Sequence, residues 1–352
     1  MIRVLAWPAF RNRNQNPYQS MLYESMADMR VAVEEFSPGR LLFGRHAIWH
    51  LHWPDLMLLG PSAGRAALRV TLLLALMELA RARGVRTVWT MHNLKSHEST
   101  HPRIESWFWR AFTRRLDGII SLSNAARQAA LDRHIALRNI PCFVIPHGHY
   151  RTVYPDGITR EQARKRLNIG METPVMAYVG LIRDYKNVPH LIRTFRLLAI
   201  PSLVLLVAGK PGTEALKQEV TDAAADDPRV KLHLDFVPAG DLQLYLRAAD
   251  LVVLPYSDIL NSGSALLALS FDCPLLIPRL GGMQELQQQV GEQWVCTYPA
   301  DLTTLVLQDA LLWVANTPRP RRAPLDALEW RGLAAKTVDA YRHLCGGSRD
   351  AG

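Results

Sequence analysis

The chain has 352 residues, a formal net charge of +9, 49% hydrophobic and 21% charged residues, and four cysteines. That length accommodates two ordinary globular domains, each with its own core. The longest uncharged apolar run, Val70 to Met77, falls far short of the ~20 residues a membrane span needs, and Cys142, Cys273, Cys296 and Cys345 lack metal or redox spacing, so a reduced cytoplasmic setting is expected. The opening "MIRVLAWPAF" reads as a short strand, with neither the basic region nor the small-residue cleavage site of a signal peptide.

Short apolar runs predict strands at Arg3 to Trp7, Ala47 to His52, Arg86 to Met91, Gly118 to Leu122 and Phe143 to Ile145. Between them lie amphipathic stretches at Pro17 to Asp28, Arg65 to Arg83 and Ser123 to Arg133. A Pro- and Gly-bearing segment, "HGHYRTVYPDGITREQARKRLNI", then starts a fresh helix at Thr159. A second series of strands follows at Val175 to Val179, Ser202 to Ala208, Val230 to Leu234, Leu251 to Leu254 and Pro274 to Ile277. After a basic Pro-rich loop (Thr317 to Pro324) a last helix begins at Trp330. Strands alternating with helices through short connections imply parallel sheets covered on both faces. The expected fold is α/β, with two doubly wound, Rossmann-like domains (1–150 and 151–330) facing across a cleft, and a helix and tail (331–352) packing back towards the first. Ligands of such sheets collect at the carboxyl ends of the strands.

Charge divides along the same line. Residues 1–150 hold 19 Lys and Arg against 10 Asp and Glu, while the remainder holds 22 of each. Nine of the twelve histidines and six of the nine tryptophans lie in that first half. A basic, Trp-rich half beside a neutral one suggests that one domain faces a polyanion: nucleic acid, anionic lipid or a diphosphate lipid.

In "VMAYVGLIRDYKNVPHLIRTF" a buried strand ends at Gly180, and Arg183 and Lys186 follow before a helix opens. Cations at a helix start oppose the helix dipole unless an anion is held there. Arg forks onto phosphate oxygens and Lys supplies a point charge, which suits a nucleoside diphosphate that gains charge as it departs. No D-x-D occurs in the chain, so side-chain cations stand in for a bridging metal. Further on, "LVVLPYSDILNSGSALLALS" places Asn261, Ser262, Gly263 and Ser264 at a helix start, a good N-cap and equally an anion-binding geometry.

"YVGLIRDYKNVPHLIRTF", "LVVLPYSDILNSGSALLALS", "LHWPD", "TMHNLKSHE" and "PHGHY" together resemble bacterial exopolysaccharide glycosyltransferases of the xanthan-type glycolipid β-1,4-mannosyltransferase family. The resemblance runs from about Arg3 to the last helix. It implies a GT-B fold with an amino-terminal acceptor domain and a carboxyl-terminal nucleotide-sugar domain. It implies GDP-mannose as donor substrate and a polyprenyl-diphosphate oligosaccharide as acceptor. No metal or other cofactor is expected, in line with the missing D-x-D, and a lipid-linked substrate leads to an expected place on the cytoplasmic face of an anionic inner membrane. Gly180, Arg183 and Lys186 would grip the diphosphate, with Tyr256 and Asn261 to Ser264 beside it. Many retaining relatives of this fold carry two glutamates where this chain has the neighbourhood of Leu260 and Asn261, and then Leu267; their absence agrees with inversion.

An inverting transfer needs a base for the acceptor hydroxyl. Three strand ends in the first half are dense in polar groups: His50, His52 and Asp55; His92, Asn93, His97 and Glu98; His147 and His149. Asp55 and Glu98 are the carboxylates of these loops and the expected bases, with His52 as the imidazole alternative. His92, Asn93, His147 and His149 are expected to contact sugar, the resemblance placing His92 near the donor sugar. Imidazoles also raise zinc, yet no H-E-x-x-H or compact Cys/His set occurs. In "RIESWFWRAFTRRLDG", Trp107 and Trp109 with Arg110, Arg114 and Arg115 give an aromatic and basic helix suited to a lipid headgroup layer.

Other readings remain: a UDP-sugar donor on the same fold, or a basic module that binds nucleic acid or anionic membrane. A nucleic-acid binder would need aromatic platforms or a recognition motif, and none is evident. An NAD-dependent oxidoreductase would want G-x-G-x-x-G after its first strand, where this chain reads "WPAFRNRNQNPYQS".

Overall fold

A computed structural model describes residues 1–14, 16–60, 62–95, 101–299 and 301–346. The chain forms two compact units, one of residues 1–148 with 327–352 and the other of residues 149–326.

The first unit runs β1 (Ile2–Trp7), α1 (Tyr18–Glu24), β2 (Val31–Glu35), α2 (Pro38–Phe43), β3 (Ile48–Leu51), α3 (Ala63–Ala82), β4 (Arg86–Met91), α4 (Pro102–Thr113), β5 (Gly118–Ser121), α5 (Asn124–Arg133) and β6 (Cys142–Val144). All its strand pairs are parallel, in the order β2-β1-β3-β4-β5-β6. Alternation along the strands sends Leu5, Trp49 and Trp89 into one core with Phe108, Trp109 and Phe112 of α4, and Val4, Ile48 and Val88 into a second core on the other face.

The second unit runs α6 (Arg160–Arg166), β7 (Val175–Val179), α7 (Val188–Arg196), β8 (Val204–Ala208), α8 (Glu214–Ala224), β9 (Val230–His233), α9 (Leu242–Ala248), β10 (Leu251–Val253), α10 (Gly263–Ser270), β11 (Leu275–Pro278), α11 (Met283–Val290), β12 (Val295–Tyr298) and α12 (Thr304–Asn316). Its sheet is again parallel, ordered β12-β11-β10-β7-β8-β9. Thr159 starts α6 with a reciprocal capping box to Gln162. Behind that helix, fully buried Arg164 pairs with Asp250 at 2.9 Å and donates to the carbonyls of Ala248, Gly170, Met171 and Thr173, so its charge and donors are met inside the fold.

The last helix, α13 (Trp330–Gly346), belongs to the first unit: Trp330, Leu333, Val338, Tyr341 and Leu344 join Tyr18, Leu22 and Tyr23 of α1 in the second core.

Strand order reverses between β1 and β3 in one unit and between β7 and β10 in the other. Such switch points open a crevice at the strands' carboxyl ends. The loops after β1, β3, β7 and β10 are therefore where each unit has room for a ligand. The strands not expected from sequence, β2 and β12, are both edge strands with a single partner. Val31–Glu35 and Val295–Tyr298 mix polar residues into their pattern, as one-sided pairing permits.

Candidate active site

At the switch point of the second unit, β7 ends at Gly180 (φ +139°) and β8 at Gly209 (φ +155°). A Cβ on Gly209 would lie 1.9 Å from the Gly180 carbonyl oxygen, so the two strand ends approach closely only as glycines. The loops beyond are tied together, Gly180 N donating to Ala208 O (2.9 Å) and Ile182 N to Lys210 O (3.0 Å). This frame carries Arg183 and, in the single turn that follows, Lys186.

Lys186 is 9% exposed, and its Nζ has no hydrogen bond or ion pair among the described residues. Burial, and then the charge of Arg183, bring its pKa down to about 8. Its Nζ lies 5.7 Å from the ring centre of Tyr256. It is also 3.8 Å from the point where a Gly180 Cβ would stand, a point only 3.2 Å from Ser264 Oγ. The Tyr256 hydroxyl in turn interacts with Ser262 and Ser264. Ser262 caps α10 by accepting from Ala265 N at 3.0 Å, and Asn261 Nδ2 is buried without an acceptor. Gly180, Lys186, Tyr256, Ser262 and Ser264 thus converge. A buried cation with no counter-charge among the described residues, beside a helix start and an unpaired amide donor, is an arrangement whose charge and donors suit an anion. Arg183 sits half-buried at the mouth of the turn, over Gly212, and donates to Ile182 O.

In the first unit the strand ends of β3 and β4 hold histidines in a polar chain within an aromatic shell. The hydroxyl of Tyr23 lies 3.0 Å from His50 Nδ1 and 2.6 Å from His52 Nε2. His52 Nδ1 is 3.1 Å from His92 Nε2. Trp53 stacks on the His92 ring at 4.6 Å, and Tyr18 meets both His92 (4.9 Å) and His147 (4.7 Å) edge-on. Burial drives the pKa of His50 to about 3 and of His147 to about 4, and those of His52 and His92 well below the ordinary value, with neighbouring imidazoles adding to it for the last two. All four are neutral at pH 7. Among the described residues no group of three or more His, Cys, Asp or Glu side chains is arranged to hold a metal ion.

Several sequence expectations shift here. His52 is 1% exposed and both its ring nitrogens are engaged, so it has no nitrogen left to take a proton from a substrate. Asp55 follows β3 in a short 3₁₀ turn and is 8% exposed. His97 and Glu98 lie outside the described residues. Asn93 is half-buried directly after His92. His147 and His149 belong to different units; His149 is buried and its Nδ1 accepts from Arg151 N.

Trp109 does not face outward. It packs with Trp89, Phe108 and Phe112 in the core. Burying each such ring contributes about 1.5–3 kcal/mol, against the ~1 kcal/mol of a cation near a headgroup surface, so the aromatic run turns inward. Arg115 pairs with Glu78 of α3 at 2.8 Å and so ties two helices together. Trp107, Arg110 and Arg114 remain exposed, on one face of α4 with Arg103.

Tyr18, Tyr23, Trp53, Tyr341 and Gly209 escaped sequence reading. For Gly209 a signal existed: "LLVAGKPG" ends a strand at glycine as "AYVG" does. The tyrosines gave none, because their partners are distant in sequence.

The loop after β1 is also informative. The Glu35 carboxylate accepts from the backbone N–H of Ala9, Phe10 and Arg11 at 2.9–3.2 Å. Amides that would cradle a dinucleotide pyrophosphate in a Rossmann oxidoreductase are here spent on a protein carboxylate.

Two parallel, doubly wound sheets of six strands each make an α/β architecture of the GT-B type, and comparison with known proteins bears on it directly. The profile of the group 1 glycosyl transferases matches residues 159–304. A GDP-mannose:glycolipid 4-beta-D-mannosyltransferase of Xanthomonas campestris pv. campestris is 32% identical over 342 residues, 97% of this chain and 92% of that protein. Among solved structures, a sucrose-phosphate synthase from Thermosynechococcus elongatus superposes with a TM-score of 0.73 at 17% identity, covering 99% of this chain and 100% of that one. Anabaena HepE in complex with UDP superposes at 0.65 and 14% identity, covering 98% and 99%; these two similarities concern the fold. The chain belongs to the group 1 glycosyltransferase family and is a glycosyltransferase.

Proposed function

We propose that this protein is an inverting, metal-independent transferase that moves mannose from GDP-mannose onto a polyprenyl-diphosphate-linked oligosaccharide during assembly of an exopolysaccharide repeat unit. One observation carries the reading: Lys186, buried and without a counter-charge among the described residues, at the switch point between β7 and β10. A departing nucleoside diphosphate supplies that charge, and a preorganised cation stabilises it more in the transition state than in the ground state. Arg183 and the helix start at Ser262 to Ser264 add donors of the same kind. The printed activity of the Xanthomonas relative, 32% identical over nearly the whole chain, supports GDP-mannose and a glycolipid.

In this reading the second unit takes the donor and the first the acceptor. His92, Asn93, His147 and His149 contact sugar, and the base is Asp55 or Glu98. Leucines at 260 and 267, where retaining relatives carry carboxylates, support inversion. The exposed face of α4 (Arg103, Trp107, Arg110, Arg114) supports contact with the cytoplasmic face of an anionic membrane, where a lipid-linked acceptor resides. No helix among the described residues is long and apolar enough to cross a membrane.

A thermal-shift screen with GDP, UDP, ADP and their sugars tests the reading. GDP at a hundredfold excess over its Kd stabilises the protein by about 2.7 kcal/mol. A shift with UDP and none with GDP replaces the donor by a UDP-sugar. No shift with any nucleotide removes the transferase reading of this site.

A further inference from the structure

The polar chain in the first unit continues inward beyond His52. His50 Nδ1 lies 2.7 Å from the Tyr341 hydroxyl and 3.0 Å from that of Tyr23, and the two hydroxyls also interact with each other. His50 Nε2 lies 2.7 Å from Thr90 Oγ1. The path therefore runs Thr90, His50, Tyr341, Tyr23, His52, His92. It begins at a fully buried hydroxyl and ends at the half-buried ring of His92, whose Nδ1 has no partner among the described residues.

Hydrogen bonds in such a chain polarise together, each group donating to the next. Two directions are open to three hydroxyls and three neutral imidazoles. If the chain points inward, His92 donates from Nε2 to His52 and the series ends with His50 donating to Thr90. The Thr90 hydroxyl hydrogen is then left without an acceptor, since His50 is its sole polar contact among the described residues. If the chain points outward, Thr90 donates to His50 Nε2, and His50 Nδ1–H is shared by the Tyr341 and Tyr23 oxygens. Tyr341 then donates to Tyr23, Tyr23 to His52 Nε2, and His52 Nδ1–H to His92 Nε2. Every donor inside the chain is then used, and the one left over is the Nδ1–H of half-buried His92, where water or a ligand can meet it. A stranded buried donor costs more than an unused lone pair.

We propose that this buried chain fixes His92 as a neutral hydrogen-bond donor, its Nδ1–H presented to an acceptor oxygen of the bound sugar, with Thr90, His50, Tyr341, Tyr23 and His52 as positioning residues. The ligand contact rests on the transferase reading above; the direction of the chain does not. His92 then binds and orients while the proton of the attacking hydroxyl goes to a carboxylate. The Trp53 stack and the Tyr18 edge hold the ring in the plane this needs.

Nitrogen NMR of ligand-free, histidine-labelled protein at pH 7 reads the tautomer directly, with His92→Gln identifying the signal. The expected result is a protonated Nδ1 and a bare Nε2. A protonated Nε2 overturns the proposal whether or not the protein is a transferase. In His52→Leu the enforcing donor is gone, and His92 should revert to the Nε2–H form that unconstrained imidazoles favour. This change reports the chain and not general stability. Retention of Nδ1–H in that variant overturns the chain as its cause. With transfer assayed, the same variant should lose about tenfold in kcat/KM, the size of one hydrogen bond. An altered tautomer with unchanged kinetics overturns the sugar contact. Absence of transfer by the wild-type protein counts against the transferase reading alone.

Discussion

The strand ends of the two sheets carry polar clusters of opposite character. At the ends of β3 and β4, His50, His52 and His92 are neutral, and their nitrogens, all but the outermost His92 Nδ1, meet one another or tyrosine and threonine hydroxyls. At the ends of β7 and β10, Lys186 keeps a charge that nothing among the described residues neutralises. A set that satisfies itself orients a ligand through hydrogen bonds. A set left incomplete is completed by a ligand's charge. Both are buried, so burial alone does not tell them apart; the count of partners does.

The largest expected effect follows from removing the uncompensated charge. Lys186→Ala should lower turnover by about 10²–10³-fold, as loss of one preorganised electrostatic contact does, while the ligand-free protein melts no lower than wild type. A large loss of ligand-free stability would make Lys186 a structural residue and erase the contrast. The sign with pH follows from its depressed pKa. The unfolded lysine holds its proton up to about 10.5 and the folded one only to about 8, so this group disfavours folding below pH 8 and ceases to do so as pH rises through that window. A bound diphosphate restores the proton. Calorimetry at pH 8 in buffers of different ionisation enthalpy should therefore show uptake of about half a proton per GDP, and none in Lys186→Ala.

The histidine cluster should fail at the other end of the scale. Its folded pKa values lie far below the ordinary 6.5, near 3 for His50 and near 4 for His147. Below pH 6.5 the unfolded chain binds protons that the folded unit refuses, and stability falls with pH. Each such histidine contributes a loss of about 1.4 kcal/mol per pH unit over that range. Urea melts at pH 7 and pH 5, followed by tryptophan fluorescence, check this. Equal midpoints would mean that the cluster opens to water and is not the closed set described.

The smallest expected effect concerns the outer face of α4. Replacing Arg110 and Arg114 with Ser should weaken flotation with anionic liposomes by about 1 kcal/mol each, with Trp107→Ala adding to it. The same change at Arg115 should cost stability through Glu78 and leave lipid binding alone. Flotation independent of anionic lipid would remove the membrane from the picture.

Much of the fold was legible because buried parallel strands are continuous apolar runs: Arg86–Met91 and Val175–Val179 lie where the pattern placed them. The edge strands Val31–Glu35 and Val295–Tyr298 were not, because half-exposed strands carry polar residues. The strand end at Gly180 and the cation at Lys186 that follows it were readable as a local pattern. Arg115 and Trp109 could be read either way, as lipid-facing or as packing. A helix with rings at 107, 108, 109 and 112 states that some of them must be buried and not which.

By itself, the order of residues determined the alternation of strand and helix, the two-part division and the places where strands end at glycine, since these depend on local periodicity and on local backbone freedom. Only the tertiary structure decided that His52 lacks a free nitrogen, that Trp109 faces inward and that Tyr341 reaches His50 from 291 positions away. Those outcomes depend on which groups end up as neighbours, and a partner brought in by chain folding leaves no mark in the sequence around the residue it completes.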